Sequence, residues 1–507
     1  MSLKRLFFKN PQKVLIQMAA ASAASFSFMI MGCVRGWSSP AMPKLLESGY
    51  LNITEDQASW ISSVPPLASI FGSLAAGPLL GILGRKWTLA LISIPYSVGF
   101  LLVGFATHPT MMLVGRILSG LTIGVTTPSA QIYIGECSSP RVRGALGSFT
   151  AIFLALGILI TYVIGKFVDW DELAWILSIL PASLLVSMLF VPETPSFLLS
   201  KGKEEEARKS LQFYRGRNTN IEPEYEKLRA NVMKASNSGN QGIKITDLKK
   251  GSVFKPLLLS MGLMFFQQFS GVNAVIYYTV KIFEASGSTI DKNDSTIIVG
   301  AVQLIATFGA MFLVDRAGRR ILLLLSGSLM AISLSAMGAF FYIQMDQGED
   351  AALAIGWLPL VSLIVFIVAY SLGFANVPFL IMGELFPAKY RGLLGSFASC
   401  FNLACTFTIV RTFDIMALSI GYYGAFWLYA SCCALGIFFV FFLLPETKGK
   451  SFEDIERMFM NPKKRKALEA VTHSPVDEKR DSEKAYYNKG LESEDEDDDS
   501  QSVATVM

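Results

Sequence analysis

Residues 136–148 read ECSSPRVRGALGS, and residues 384–396 read ELFPAKYRGLLGS. In both segments a glutamate, Glu136 or Glu384, is followed seven residues later by an Arg-Gly pair that begins at Arg143 or Arg391. The first copy starts at position 136 and the second at position 384, so the two are separated by about half of the 507-residue chain. The chain is therefore expected to consist of two related halves.

Two further motifs are repeated in the same order. Gly-Arg-Lys at 84–86 matches Gly-Arg-Arg at 318–320, and Val-Pro-Glu-Thr at 191–194 matches Leu-Pro-Glu-Thr at 444–447. In each half the first motif follows the second apolar run and the second motif follows the sixth. Parallel repeats of six helices are typical of transporters whose substrate site lies near the membrane midplane between the halves.

The composition indicates an all-α membrane protein. Hydrophobic residues make up 52% of the chain and charged residues 17%, against roughly 25% charged in soluble domains. Apolar runs long enough to cross a ~30 Å hydrocarbon core recur about twelve times, whereas a barrel would show alternating segments of ~10 residues. The twelve predicted transmembrane helices lie near residues 14–36, 58–80, 87–106, 111–134, 144–167, 173–191, 254–284, 295–314, 321–344, 357–383, 392–412 and 422–444.

Lysine and arginine are concentrated in alternate loops, which predicts that those loops and both termini are cytoplasmic. Asn52 and Asn293 begin glycosylation sequons in loops that this topology places outside. We expect a multi-pass protein of the plasma membrane, with an intracellular membrane as the alternative.

The predicted organisation has five parts. A cytoplasmic N-terminus at 1–13 precedes the first six-helix bundle at 14–194, and a linker with short cytoplasmic helices occupies 195–253. The second bundle covers 254–446, and a cytoplasmic tail follows at 447–507. The tail is expected to be largely disordered because it has few apolar residues and ends in an acidic block. Its last residues, 505–507, weakly resemble a ligand of PDZ domains.

Four motifs resemble those of the sugar-porter family of the major facilitator superfamily. They are DRAGRR at 315–320, PETP at 192–195, QQFSGVNAVIYY at 267–278 and PETKGK at 445–450. The resemblance extends over nearly the whole membrane part and includes the facilitated trehalose transporters of insects and the facilitative glucose transporters. It implies the major facilitator fold and transport of a hexose or a trehalose-like disaccharide by facilitated diffusion with alternating access.

Amide side chains inside the apolar helices are the candidates for substrate binding. Such groups are costly in lipid and usually face a cavity or another helix. Gln267, Gln268 and Asn273 can converge on a ligand if their helix is broken at Ser270-Gly271, because amides both donate and accept hydrogen bonds, as sugar hydroxyls require. Contact between helices is the alternative role.

The resemblance adds further positions to this site. It implies that Gln303 in the eighth helix and Asn402 in the eleventh contact the sugar. The tenth helix departs from the family's Gly-Pro-x-Pro-Trp pattern, because Asn376 supplies an additional polar group there and Phe379 stands in place of the tryptophan. Pro378 still permits this helix to bend.

A second set of candidate residues carries charge at the predicted cytoplasmic ends of the helices. The set comprises Glu136, Arg143, Glu193, Asp315, Arg316, Arg319, Glu384, Arg391 and Glu446. We expect these groups to form a cytoplasmic gate that holds the halves together in the outward-facing state; solvated ion pairs of ~0–1 kcal/mol are the alternative. Gly81 and Ile82 stand where the family has an acid and an arginine, so the gate is expected to depend mainly on the second half.

Energy coupling depends on one pair of positions. The resemblance implies that proton-coupled relatives pair an arginine of the fourth helix with an acid in the first helix. Here Arg116 supplies the arginine but Cys33 replaces the acid, which predicts facilitated diffusion. Arg35 either extends to the membrane interface or joins Arg116 in a positive outer vestibule. The second interpretation would favour an organic anion or an acidic sugar as substrate.

A sugar sensor that does not transport is a third hypothesis, although the tail is short for a signalling domain. The sequence contains no Walker loop, nucleophile–histidine pair or metal-ligand cluster. We therefore predict no enzymatic activity, no cofactor, no bound metal and no nucleic-acid partner. The predicted partners are the sugar, the lipid bilayer and, at the C-terminus, a weak PDZ-type contact.

Overall fold

The structure is a computed structural model, and it describes residues 11–140, 142–216, 219–238, 251–287, 290–386, 390–446 and 458–459. Within these ranges the side chains of residues 11–12, 234–238, 251–252, 314–317, 349 and 391 are not described. The predictions for the N-terminal ten residues, for most of the tail and for the PDZ-type motif lie outside the described residues.

The described chain is helical from end to end. The first half contains α1 (Pro11–Ser48), α2 (Glu55–Ile82), α3 (Arg85–Leu91), α4 (Ser93–Gly104), α5 (Pro109–Cys137), α6 (Arg143–Gly147), α7 (Phe149–Phe167) and α8 (Trp170–Leu189). The linker contains α9 (Pro195–Ser200), α10 (Glu204–Arg215) and α11 (Glu222–Ser238). The second half contains α12 (Gly251–Phe269), α13 (Val272–Ser286), α14 (Lys292–Ala317), α15 (Arg319–Gln347), α16 (Glu349–Ala354), α17 (Leu358–Leu372), α18 (Val377–Leu385) and α19 (Arg391–Leu443).

The number of membrane crossings agrees with two bundles of six. Among the described residues, eleven helical stretches are long and apolar enough to span a membrane. The last of them, Gly392–Leu443, has 52 residues, and a helix of that length extends ~78 Å, more than twice the ~30 Å hydrocarbon core. Gly421 divides it with a non-helical backbone at φ 72°. The divided stretch therefore supplies the eleventh and twelfth crossings.

Three helices differ from their predicted course. The first was expected to end near residue 36 but continues through Pro40 and Pro43 to Ser48. The seventh crossing is interrupted between α12 and α13, and the tenth is interrupted at 373–376 between α17 and α18. Apolarity locates a crossing, but it does not report where the backbone leaves the helix inside that crossing.

Each half has its own hydrophobic core. One cluster of buried residues lies almost entirely in α1–α8, and a second lies in α12–α19 but also includes Ile158 and Tyr162 of α7. Small residues allow the helices within a half to approach closely: a Cβ at Gly32 would meet the backbone of α7, and one at Gly157 would meet that of α1.

The helix ends define two sides of the molecule. We call the side that carries the linker helices α9–α11 the linker side. The start of α1 lies on this side too, because the Gln17 Nε2 donates to the Tyr214 carbonyl at 3.0 Å. We call the opposite side the far side. There α2 begins with a capping box, in which the Thr54 hydroxyl accepts from the Gln57 N–H and the Gln57 side chain accepts from the Thr54 N–H.

Candidate functional site

The backbone break in the seventh crossing separates the candidate amides. α12 ends at Phe269, and Gly271 has φ 83° immediately before α13 begins. This left-handed conformation suits glycine, and the ring of Tyr429 also leaves no room there for a side chain. Gln267 and Gln268 thus lie at the end of one helix and Asn273 at the start of the next.

Four of the predicted amides form one buried hydrogen-bonded cluster, which we call the amide cluster: Gln267, Gln268, Asn273 and Asn402. The Asn402 Nδ2 donates to the Gln267 Oε1 at 2.8 Å, and the Gln268 Nε2 donates to the Asn402 Oδ1 at 3.0 Å. The Asn273 amide donates to the Gln268 Oε1. The side chains come from α12, α13 and α19, so the tertiary structure brings together residues more than 100 positions apart.

The amide cluster is also joined to the break in the tenth crossing. The Gln267 Nε2 donates to the carbonyl of Phe374 at 2.6 Å, and this carbonyl belongs to the non-helical segment 373–376. Asn376 is half-buried and lies immediately before α18, and Pro378 occupies the first turn of α18, where no intrahelical N–H is needed. The two interrupted crossings therefore meet at the amide cluster.

Gln303 is placed differently from the other predicted amides. It is buried in α14, and its carbonyl accepts from the Thr307 hydroxyl at 2.7 Å. Among the described hydrogen bonds, none joins its side chain to the amide cluster.

Arg116 joins three helices of the first half. Its guanidinium donates to the Ile61 carbonyl at 3.1 Å, to the Val34 carbonyl at 2.8 Å and to the Ser38 hydroxyl at 2.8 Å. It lies over the ring of Trp37 at 5.1 Å and is only 2% exposed. The Cys33 thiol instead donates to the Gly157 carbonyl. Arg35 lies on α1 one residue beyond Val34 and is half-buried.

The charged residues of the linker side form a matching cluster in each half. In the first half the Arg85 side chain pairs with Glu136 at 3.0 Å, and Glu193 accepts from the backbone N–H groups of Arg85 and Lys86 at the start of α3. Burial raises the pKa of the Glu193 carboxyl above its ordinary value, while hydrogen bonds from the N–H groups of Thr194, Lys86 and Arg85 act in the opposite direction. A carboxylate at a helix N-terminus is stabilised by the helix dipole.

The second half repeats this arrangement. Arg319 pairs with Glu384 at 3.2 Å, and Glu446 accepts from the backbone N–H groups of Arg319 and Arg320 at the start of α15. Arg85 and Glu193 thus supply the same contacts as Arg319 and Glu446, whereas the expectation of a less complete first half concerns Gly81 and Ile82 against Asp315 and Arg316 and stays a prediction.

The structure differs from the predicted gate in the partners of these charges. The described pairs of this set join helices of the same half, and none crosses to the other half. Arg143 is exposed and contacts the Ser138 carbonyl at 3.5 Å instead of a glutamate. The side chains of Asp315, Arg316 and Arg391 lie outside the described residues.

Charged pairs that do cross between the halves lie on the far side, and the sequence interpretation did not include them. Arg411 of α19 pairs with Asp56 of α2, donates to the Ser59 hydroxyl at 2.9 Å and lies 4.8 Å from the Trp60 ring. A signal was present, since Arg411 is a charged residue inside a predicted apolar span. Lys166 with Asp294 and Lys292 with Glu47 are the other crossing pairs.

Uncharged contacts reinforce the far-side interface. The Ser39 hydroxyl of α1 accepts from the Val280 N–H of α13 at 3.1 Å, and the Tyr162 hydroxyl of α7 donates to the Ile276 carbonyl at 2.7 Å. A cavity of about 200 Å³ remains between the halves at this level, lined by both polar and apolar side chains including Ser38, Met42, Ser62, Tyr277, Lys281 and Asp414.

The glycosylation candidates both lie on the far side. Asn52 is exposed in the turn between α1 and α2, whereas Asn293 is half-buried in the first turn of α14, where Ser295 of its sequon is fully buried. Asn52 is thus the more accessible acceptor of the two.

Two six-helix halves, with two interrupted crossings that meet at buried amides of the second half, are the architecture of a membrane carrier of the major facilitator fold. Residues 18–459 match the family model described as "Sugar (and other) transporter". The chain belongs to this family, whose members are membrane transporters and not enzymes.

The chain is similar to several insect proteins named "Facilitated trehalose transporter Tret1". It is 44% identical over 443 residues to the one from Culex quinquefasciatus, with 87% of this chain and 85% of that protein covered. It is 44% identical over 453 residues to the one from Polypedilum vanderplanki, with 89% of each covered. For the protein of Anopheles gambiae the identity is 44%, but the chain spans only 57% of that protein's length.

Solved structures of the Escherichia coli xylose transporter XylE share the fold. The form described as inward open has a TM-score of 0.72 at 21% identity over 87% of this chain and 99% of that chain. The form bound to 6-bromo-6-deoxy-D-glucose has a TM-score of 0.71 at 22% identity, with 88% of this chain and 100% of that chain covered. The predictions of the major facilitator fold and of a sugar transporter are confirmed at the level of the family.

Proposed function

We propose that this protein moves a sugar, a hexose or a trehalose-like disaccharide, across a membrane by facilitated diffusion with alternating access. The observation that carries the proposal is the amide cluster at the interrupted seventh crossing. Its members donate to and accept from one another. Sugar hydroxyls can replace these amide–amide bonds without leaving a buried polar group unsatisfied, because a hydroxyl both donates and accepts. The names of the insect relatives support a disaccharide as one candidate substrate.

Facilitated diffusion is supported by the surroundings of Arg116. Its described partners are two backbone carbonyls, a serine hydroxyl and an indole ring, and none of these titrates near neutral pH. A proton-coupled mechanism of the kind that the family resemblance implies needs a carboxylate at this place, and the nearby Cys33 does not supply one. Flux should therefore follow the sugar gradient alone.

We propose that the protein lies in the plasma membrane. In this orientation the far side faces the outside of the cell and the linker side faces the cytoplasm. The basic residues of the linker side support this orientation. In this assignment the contacts of Arg411, Lys166 and Lys292 close the outer side. The structure then corresponds to a state that is closed on the outer side. The gate hypothesis requires the linker-side clusters to contact each other across the halves in the other, outward-facing state.

The proposal is tested by uptake into liposomes that contain the purified full chain. Labelled trehalose and glucose are compared with and without a proton gradient, for the native protein and for Asn402→Ala. Because Asn402 both donates to and accepts from the amide cluster, we expect its removal to lower sugar uptake at least about tenfold. Gln344→Ala is the matched control, since this amide contacts only the Ala285 carbonyl near the far side.

Three outcomes would contradict parts of the proposal. Equal uptake by Asn402→Ala and the native protein would remove the amide cluster as the substrate site. Uptake that requires the proton gradient would exclude facilitated diffusion. Saturable sugar binding without any flux would favour the sensor hypothesis.

A further inference from the structure

Arg35 and Arg116 are two membrane-embedded arginines on neighbouring helices with different surroundings. The Arg116 guanidinium has three hydrogen-bond acceptors and the face of Trp37. Arg35 has neither a hydrogen bond nor an ion pair within the part of the chain that the structure describes. A charged side chain in the membrane interior is costly unless a partner or a water-filled pathway compensates it, so Arg35 requires an explanation.

The course of α1 places Arg35 on the face that lines the interface between the halves. Ser38, Ser39, Met42 and Leu46 of α1 line the far-side cavity, and Arg35 precedes Ser38 and Ser39 by one helical turn. Ser39 on this face touches the second half through the Val280 N–H. Arg35 therefore lies on the same stripe, one turn nearer to the linker side than this contact.

The electrostatic neighbours of Arg35 come from both halves. Its charge acts on Tyr277 of α13 and Tyr370 of α17, as well as on Tyr96 of α4. Tyr277 is also a neighbour of Arg116, so two positive charges act on one tyrosine. Tyr277 follows Asn273 of the amide cluster by one turn of α13, a rise of ~6 Å.

Three of the four carboxylates that line the far-side cavity are paired within the described residues. Asp414 pairs with Lys281 at 2.8 Å and acts on Tyr278, the residue after Tyr277. Glu47 and Glu284 both pair with Lys292, and the fourth carboxylate, Glu55, is not among the described pairs. Arg35 and Arg116 act on Tyr277, so none of these described pairs includes either arginine.

We propose that Arg35 recognises an anionic group of a transported substrate, so that the carrier accepts sugars that bear a carboxylate or a phosphate. A guanidinium offers only donors, in a planar geometry that matches both anions, whereas the amide cluster, one turn of α13 from Tyr277, offers donors and acceptors for hydroxyls. The two groups together define a site for a sugar ring with one negative substituent. This inference rests on the amide cluster of the proposed function as the sugar site.

The test is equilibrium binding to the purified full chain at pH 7 and constant, low ionic strength. Labelled glucuronate is displaced by unlabelled glucuronate, by glucuronamide, which has the same ring without the charge, and by glucose 6-phosphate. For the native protein we expect glucuronate to bind about tenfold more tightly than glucuronamide, because charge-assisted hydrogen bonds are the stronger kind. Glucose 6-phosphate shows whether phosphate is accepted as well as carboxylate.

Two variants assign this preference to Arg35. Arg35→Ser should reduce the ratio of the two affinities to about one, and Arg35→Lys should retain part of it because the point charge remains. If Arg35→Ser does not fold, Arg35→Lys decides the question, because a ratio between one and the native value assigns the preference to this position. Equal affinities for glucuronate and glucuronamide in the native protein, or an unchanged ratio in Arg35→Ser, would overturn the inference.

The outcome is separable from that of the proposed function. Uptake of a neutral sugar in liposomes without any preference for the anion retains the proposed function and removes the role of Arg35. A preference for the anion in binding without flux of any sugar retains the role of Arg35 and removes the transport activity.

Discussion

At the far side the two halves exchange charged pairs across their interface, whereas at the linker side each half keeps its described charged pairs within itself. Arg411 with Asp56, Lys166 with Asp294 and Lys292 with Glu47 join the halves on the far side. On the linker side Arg85 with Glu136 and Arg319 with Glu384 join helices of one half. The repeated motifs thus stabilise each half, and residues outside the repeats hold the halves together in this state.

This difference matters for alternating access. Contacts between the halves must exist on one side at a time, so that the substrate site opens to the other side. The far-side pairs can be lost without disturbing either hydrophobic core, because none of their members belongs to the two core clusters. The clusters within each half can move as rigid units. The following predictions test this division, from the largest expected effect to the smallest.

The largest effect is expected at the break that separates the linker-side and far-side parts of the seventh crossing. Gly271→Ala places a Cβ in a left-handed conformation and against the Tyr429 ring. We expect a loss of ~1–3 kcal/mol in the free energy of unfolding and a loss of sugar binding, because the amides on either side of the break are displaced. Gly309→Ala is the control, since a Cβ there meets nothing within 4 Å. Equal melting temperatures for both variants in detergent would contradict the prediction.

The second prediction removes a far-side pair. Arg411→Ala should open the far side and increase the reactivity of a cysteine introduced at Ala58 of the cavity wall about tenfold, since Arg411 contacts Asp56, Ser59 and Trp60 together. The measurement is labelling with a membrane-impermeant thiol reagent. Arg208→Ala is the control, because it removes an exposed pair of the linker. Unchanged labelling would show that the far-side pairs do not hold the halves together.

The third prediction concerns the linker side with the same reporter cysteine. If Glu384 takes part in contacts between the halves only when the far side is open, Glu384→Gln should decrease labelling several-fold, opposite in sign to Arg411→Ala. The physical reason is that this variant destabilises the outward-facing state alone. An increase in labelling, or none, would limit Glu384 to its contact with Arg319 within the second half.

The smallest effect is expected at the linker helices, which are bound to the first half. A bidentate hydrogen bond from Arg215 lowers the pKa of the Glu224 carboxyl. A lowered pKa in the folded state stabilises the protein above the unfolded pKa of ~4.3, and this contribution is lost as the pH falls through the folded value. Because Glu224 is 44% exposed, the contribution should be below ~1 kcal/mol.

This last prediction is checked by comparing Glu224→Gln with the native protein in thermal unfolding. The difference between them should be present at pH 7 and should shrink as the pH falls below about 4. A difference that is independent of pH would indicate that the packing of the side chain, and not its charge, is what matters.

Much of the site could be predicted because its chemistry is visible in the residue types. Amides in apolar helices identified Gln267, Gln268, Asn273 and Asn402, and these four form one cluster. No described hydrogen bond joins the Gln303 side chain to them, since identical amides on different helices are equivalent in a sequence until packing brings some of them together. The partners of the charged motif residues were also unpredictable, because Glu136 pairs with Arg85, 51 residues away, and not with Arg143 of its own motif.

The two halves, the twelve crossings and the family of this carrier could be predicted from the residues, because apolar periodicity and repeated motifs are local properties of the chain. The pairing of the charges could not, because it depends on the folded arrangement. Arg411 and Asp56 are separated by 355 residues, and their pairing depends on how one half is placed against the other. The same placement gives Arg116 three acceptors and gives Arg35 no hydrogen-bond or ion-pair partner among the described residues, since a charge in a membrane is satisfied by whatever neighbouring helices bring to it.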